Sequence, residues 1–437
     1  MTSTQKLEDV LTKCQRIAKL SKDFPERAFV SLAHHIDETW LHEAYRRTRK
    51  DGAVGVDNQS AEQYSEALEE NLRTLLNRAK GGHYKALPVR RVYIPKSGGK
   101  MRPLGIPAFE DKVLQRAIVM LMEAIYEQDF HPDSYGFRPG RSAHMALSVL
   151  ERRLRGMGGG WVIELDIQSF FDCVDHGLLR ELIQQRIKDG VINRLIGKWL
   201  NAGLMENGEL HHPNVGTPQG GVISPLLANI YLHHVLDKWF EEEVQPRLSG
   251  RSSMVRYADD AVLLFSNEQD AQRVMEVLPK RFGRYGLTLH PEKTRLIKFK
   301  PPRLGCDDQD RGSFNMLGFT HFWGKTRKGG WAVKRKTAND RFRRALKGIS
   351  EWCKINRQVR VRDQHKILTS KLRGHYSYYG LSGNYKALSC FRFLVERVWV
   401  KWLSRRSQRG HLNWEKASRL LKLMPLPMPR ITKSTVF

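Results

Sequence analysis

A chain of 437 residues has room for two to four domains with ample buried core. Its 74 Lys+Arg against 46 Asp+Glu leave a formal charge of +28, which points to a polyanionic partner, nucleic acid first. Five scattered cysteines (Cys14, Cys173, Cys306, Cys353, Cys390) form no C-x-x-C pair, which argues against a zinc ribbon and a disulfide framework. The N-terminal MTSTQKLEDV has no apolar h-region and no run approaches a membrane span, so a soluble protein of a reducing, intracellular compartment is expected.

Residues 1 to about 85 read as a helical appendage of mixed charge with no catalytic spacing. RRVYIPKSGGKMRPLGIP, from Arg90, reads as a β-hairpin with a basic, glycine-containing tip. Lys96 and Arg102 would lie near each other across it. Such a tip is either a solvated turn or a clamp for a triphosphate. Residues 111–130 carry Val113, Leu114, Ala117, Ile118, Leu121, Met122 and Ile125 at helical spacing. SYGFRPGRSAHMAL follows as a turn-rich segment. WVIELD (161–166) reads as a strand with Asp166 at its end, just before Phe170, Phe171 and Asp172. A helical stretch from about 177 to 200 leads to GTPQGGVISPLLANIYLHHVLD. There the Gln219-Gly220-Gly221 turn permits close backbone approach to a ligand, and Ser224-Pro225 marks an N-cap and a helix start.

MVRYADDAVLLF (254–265) reads as strand, tight turn, strand, with Asp259 and Asp260 at the turn. Alone, the acidic pair is far more often a polar hairpin tip than a cation site, since Asp favours turns. Residues 269–284 read as a helix, GLTLHPEKTRLIKF as a turn and a short strand pair, and FNMLGFTHF (314–322) as one strand. From His321 onward there are 29 Lys+Arg and 5 Asp+Glu, a balance of +24, so the C-terminal quarter carries most of the charge. Within it, 325–336 reads as a basic linker. Three helices at roughly 338–354, 361–379 and 384–407 then form a bundle with an apolar face and a basic exterior. The residues by themselves support an α+β catalytic core followed by a helical basic domain.

If the strand ending at Asp166 neighbours the hairpin of Asp259 and Asp260, three carboxylates converge. Such a set suits a two-metal site for in-line phosphoryl displacement. Phe171 is a core aromatic or a ring against the sugar of an incoming nucleotide; its spacing allows both.

IPKSGGKMRPLGIP, SYGFRPGRS, ELDIQSFFDCVDH, TPQGGVISPLLANIYL, YADD and GLTLHPEKT, in this order and spacing, resemble the group II intron reverse transcriptase/maturases. The resemblance runs from about residue 40 to at least residue 400. It implies a right-hand polymerase: an N-terminal extension over 1–85, fingers over 86–160, a palm with an antiparallel sheet over 161–324, and an all-α basic thumb, or maturase domain X, over 325–437. Asp166, Asp259 and Asp260 match the ligands of two Mg²⁺ ions. Lys96 and Arg102 match triphosphate-binding residues, Phe171 the deoxyribose-selecting residue and Gln219 the dNTP pocket, and Lys293 approaches the same site. GHYSYYGLSGNY (374–385) matches a thumb signature whose tyrosines pack the bundle or contact RNA. The implied partners are intron RNA, an RNA template with a DNA primer, dNTPs and target DNA, in a bacterial-type cytoplasm and with no membrane. With no C-x-x-C after the thumb, the family's His/Cys endonuclease is expected to be lacking, so the primer would come from elsewhere. Two other readings are an RNA-binding splicing cofactor without synthesis and a reverse transcriptase repurposed for host defence.

Overall fold

The computed structural model describes residues 3–95, 101–206, 209–211, 216, 220–302, 312–326, 328–406 and 412–432. The N-terminal region is helical as expected: α1 (Ser3–Asp23), α2 (Glu38–Arg47), α3 (Ala61–Ser65) and α4 (Leu68–Gly81). Local signals start these helices. Asp37 caps α2 by accepting from Trp40 N, and Ser60 with Gln63 closes a capping box on α3. The basic hairpin forms as β1 (Val89–Pro95) and β2 (Met101–Ile106), antiparallel with Ile94 opposite Arg102. Then come α5 (Phe109–Asp129), α6 (Ala143–Gly156), β3 (Gly160–Leu165) and the short α7 (Phe170–Cys173).

The stretch read as one helix over 177–200 is two, α8 (His176–Arg186) and α9 (Gly190–Leu200). Asp189 divides them. Its carboxylate caps α9 by accepting from Val191 N and Ile192 N, and also accepts from Leu32 N and Ala33 N. After β4 (Leu204–Glu206) and β5 (Glu209–His211), α10 (Ser224–Leu232) runs on through π-helical turns at His233–Asp237 and Trp239–Val244. Ser224 is its first residue, with Ile223 at the cap position, one place from the expectation. The acidic hairpin is β6 (Ser252–Tyr257) and β7 (Asp260–Phe265), followed by α11 (Glu268–Gly283) and β8 (Arg295–Phe299). Only β8 is a strand in the region expected to hold a strand pair. Leu289 contributes a single bridge to Ile167.

The chain divides into two compact units, one of residues 1–146 and 162–296, the other of 147–161 and 297–437. Two sheets, in the orders β2-β1-β4-β5 and β6-β7-β3-β8, carry the elements of interest in the first. The second has a three-stranded antiparallel sheet, β11-β10-β9, from β9 (Phe314–Met316), β10 (Phe319–Lys325) and β11 (Trp331–Thr337). This corrects two expectations. The single strand at 314–322 is broken by a tight turn at Leu317 and Gly318, with φ of 52° and 78°. The basic linker at 325–336 includes β11. Its lysines alternate with inward residues, but one inward position is occupied by the buried Arg335, which disguises the period of two.

The helices α12 (Asn339–Ile355), α13 (Val361–Tyr379) and α14 (Tyr385–Leu403) match the three expected, and α15 (Trp414–Leu423) adds a fourth. Leu368, Leu372, Leu388, Phe391, Val395 and Trp399 close their core. The tyrosines divide. Tyr376 is buried with its hydroxyl donating to Pro427 O, and Tyr378 and Tyr379 pack on Phe319, whereas Tyr385 is exposed. Among the described residues no helix is long and apolar enough to cross a membrane.

His321 on β10 stacks on Phe314 with ring centroids 4.8 Å apart and lies opposite Arg335 in the ladder. Arg335 pairs with Glu151. Burial, helped by the Arg335 charge, pushes the His321 pKa down to about 3. The unfolded imidazole titrates near 6.5, so below that pH the unfolded chain takes up a proton that the fold excludes. Stability is therefore full above about pH 6.5 and falls as pH drops toward 3. Between pH 7 and pH 5, urea denaturation should show the native chain losing about 2 kcal/mol more than a His321→Phe variant. Equal losses would place the acid sensitivity elsewhere.

Candidate active site

Tyr257 and Asp260 are the last pair of the β6–β7 ladder, so Ala258 and Asp259 make the turn. Ala258 has φ of 55°, a left-handed conformation that costs a non-glycine residue about 1 kcal/mol or more. A guanidinium beneath the turn supports it. Arg256 is fully buried within β6. Its Nη1 donates to Ala258 O (3.0 Å) and to Asn229 Oδ1 (3.0 Å). Its Nε and Nη2 donate to the two Asp237 oxygens at 2.7 and 2.5 Å. Burial alone would raise the Asp237 pKa, but the Arg256 charge, together with the neighbouring His233 and the Arg256 hydrogen bonds, outweighs it and holds the carboxyl down to about 2. Asn229 on α10 also donates to Gly136 O at 2.7 Å. The segment around Gly136 lies directly on the hairpin: Tyr135 N donates to Arg256 O (2.9 Å) and Arg256 N to Asp133 O (3.0 Å). A Cβ at Gly136 would stand 2.2 Å from Ala258 N, so only glycine fits there.

β7, which opens with Asp260, neighbours β3, and Asp166 is the residue that follows β3. The HPEKT turn docks on Asp166. His290 N donates to Asp166 O (2.8 Å), Asp166 N to Thr294 Oγ1 (3.4 Å), and Lys293 Nζ pairs with Asp166 Oδ2 at 2.5 Å. Gln168 N to Thr288 O (2.8 Å) extends the contact. Lys293 thus gives Asp166 a counter-charge. Among the described residues, no three Asp, Glu, His or Cys side chains stand together as a formed metal cluster. The donor chemistry nevertheless fits a hard divalent ion, which takes carboxylate oxygens.

Arg102 lies exposed on β2, one residue in from the hairpin tip. Lys96 and Gln219 lie outside the described residues. Gly220, beside Gln219, has φ of 119°, and a Cβ there would meet Gly105 O at 2.6 Å, so the turn packs closely on the β2 backbone. Of the two phenylalanines after Asp166, Phe170 is buried against Tyr231, while Phe171 is only half-buried and meets Phe170 edge-on at 5.2 Å. The core role belongs to Phe170. Sequence reasoning missed Arg256, Asp237, Asn229 and Gly136. The available signal was an arginine inside an otherwise apolar strand, which demands a buried partner.

A family model described as reverse transcriptase (RNA-dependent DNA polymerase) matches residues 94–321. Group II intron-encoded protein LtrA of Lactococcus lactis subsp. cremoris is 31% identical over 477 aligned residues, covering 89% of this chain and 77% of that protein. Protein YkfC of Escherichia coli (strain K12) is 39% identical, covering 59% of this chain and 76% of its own length. Nuclear intron maturase 2, mitochondrial, of Arabidopsis thaliana is 27% identical over 31% of this chain and 24% of its own length.

Replacing Asp237 by Asn should strand the Arg256 charge in the core and cost about 3–5 kcal/mol in chemical denaturation. The double replacement Asp237→Leu, Arg256→Met removes both charges and should recover a large part of that loss. A single variant as stable as the native chain would contradict this account of the pair.

Proposed function

The chain belongs to the family of group II intron-encoded reverse transcriptases and maturases, and from that membership we propose how its residues divide the work. The protein is an RNA-directed DNA polymerase and a maturase, with nucleic acid as its partner. The reading assigns fingers to 86–160, palm to 161–324 and thumb to 325–437, after a helical extension over 1–85. Asp166, Asp259 and Asp260 would hold Mg²⁺. When bound, two such ions supply activation of the primer 3′-hydroxyl and charge stabilisation of the leaving pyrophosphate. The observation that carries this assignment is the sheet order, with β7 opening on Asp260 beside β3, which ends just before Asp166.

The remaining roles follow from chemistry at that sheet end. Lys293 orients the Asp166 carboxylate through its 2.5 Å ion pair. Arg102 and Lys96 bind the triphosphate, for which a guanidinium offers bidentate hydrogen bonds. Phe171, half-exposed beside the buried Phe170, presses on the sugar and excludes a 2′-hydroxyl. Gln219 lines the same pocket. The C-terminal basic region, with its balance of +24 from His321 onward, grips the template–primer duplex and intron RNA through phosphate contacts. Target DNA is the further partner that retromobility requires. Splicing help uses binding surface alone, so it should survive loss of the carboxylates.

In primer extension on an RNA template with Mg²⁺ and dNTPs, the native chain should synthesise cDNA and an Asp259→Ala, Asp260→Ala variant should not. That variant should bind intron RNA within about threefold of native affinity; an equal loss of RNA binding would oppose the division of labour. Shrinking Phe171 to Ala should raise incorporation of ribonucleotides relative to deoxyribonucleotides, read as the ratio of kcat/KM values. An unchanged ratio would remove the ring from sugar selection.

A further inference from the structure

Phe137 combines two properties that are each unfavourable for a phenylalanine. Its side chain is 56% exposed, and its backbone sits at φ of 56°, where a bulky residue is a genuine outlier. Glycine or asparagine would hold that φ at lower cost, and an exposed ring gains little burial in return. Packing therefore does not account for the residue.

The loop around it enforces the conformation from both sides. Arg138 points inward, and its Nε and Nη2 donate to Glu127. Its Nη1 donates to His131 O (2.8 Å) and Ser134 O (2.7 Å). Arg141 Nη1 reaches Pro132 O at 3.1 Å. On the other side Tyr135 N and Gly136 O are tied to Arg256 O and Asn229. With its neighbours pinned, Phe137 keeps its ring outside the loop. The ring centroid lies 6.3 Å from that of Tyr257, the residue that ends β6 immediately before the turn of Asp259 and Asp260.

We propose that Phe137 is a stacking residue for a nucleobase of the template–primer, presented beside the acidic turn by this strained loop. The inference rests on the polymerase reading above. An aromatic face accepts any base, because every base has a π-face, and so it positions a substrate without reading sequence. The hydrogen bonds that pin its neighbours supply the support that the left-handed backbone requires.

The test uses the full chain and an RNA template annealed to a DNA primer, with 2-aminopurine placed at successive positions around the primer terminus. Binding of the native chain should quench the fluorophore further at one register. Phe137→Ala should abolish that extra quenching and raise KM for the duplex about tenfold, with the loss falling on KM rather than kcat. Phe137→Tyr should restore both readouts. Phe137→Leu, apolar but not aromatic, should behave like the alanine variant and covers the case in which alanine impairs folding. Equal quenching by native and leucine variants at every register would overturn the inference, as would failure of the tyrosine variant to restore it. The fluorescence signal needs duplex binding and no synthesis. A native chain that quenches but does not extend would therefore overturn the polymerase reading alone. One that extends without Phe137-dependent quenching would overturn this inference alone, and one that does not bind the duplex would overturn both.

Discussion

A guanidinium with no access to water needs a full charge and several acceptors, and Arg256 finds both. Asp237 supplies the charge, and Asn229 and the Ala258 carbonyl take the remaining hydrogen bonds. With Asn229, the pair joins the strand of the acidic hairpin to the helix that begins at Ser224 and runs on into the π-helical turn of Asp237. Two consequences reach the turn itself. The Ala258 carbonyl is held from below, which stabilises a backbone conformation that alanine otherwise avoids. The loop carrying Gly136 is clamped onto the hairpin backbone, close enough that a single methyl group would be excluded. Breaking such a pair costs more than making it gains, so its value lies in fixing one arrangement of the turn rather than in net stability.

The other acidic residue is held by different means. Asp166 follows its strand directly, and its backbone is gripped by His290 and Thr294 while its carboxylate faces Lys293. A lysine 127 positions away is thus the partner of a strand-end aspartate. One carboxylate is positioned by a half-exposed lysine and the turn of the other two by a buried arginine. The two supports differ in dielectric, and screening by salt should weaken the first far more than the second.

Charge is distributed with the same economy. Net positive charge gathers in the C-terminal region; contact with a phosphate backbone in general needs many cations and no particular geometry. The acidic turn instead needs few groups held closely. The helical core of the second unit is built from leucine, phenylalanine, valine and tryptophan at helical spacing, so its lysines and arginines can remain on the outside. Arg335 is the exception. It is buried in a strand and paired with Glu151.

Much of this was legible in the sequence because it depends on neighbours along the chain. Alternation in RRVYIP and the apolar runs flanking the acidic pair in MVRYADDAVLLF mark both hairpins, and period-3.6 patterning marks α5 and the helices of the C-terminal bundle. The acidic turn and the strand leading to Asp166 are likewise written in local pattern, whereas the spacing of Phe171 fits two roles. Other features misled for local reasons. A strand with a buried arginine reads as a solvated linker, and Asp189 divides α8 from α9 within a stretch that looks continuous. What only the tertiary structure decided is which charges meet. Arg256 with Asp237, Lys293 with Asp166 and Arg138 with Glu127 are pairs whose pairing no local pattern names. Whether such a charge is buried and paired depends on desolvation and on approach within a few ångströms, and those are properties of the packed chain and not of its local pattern.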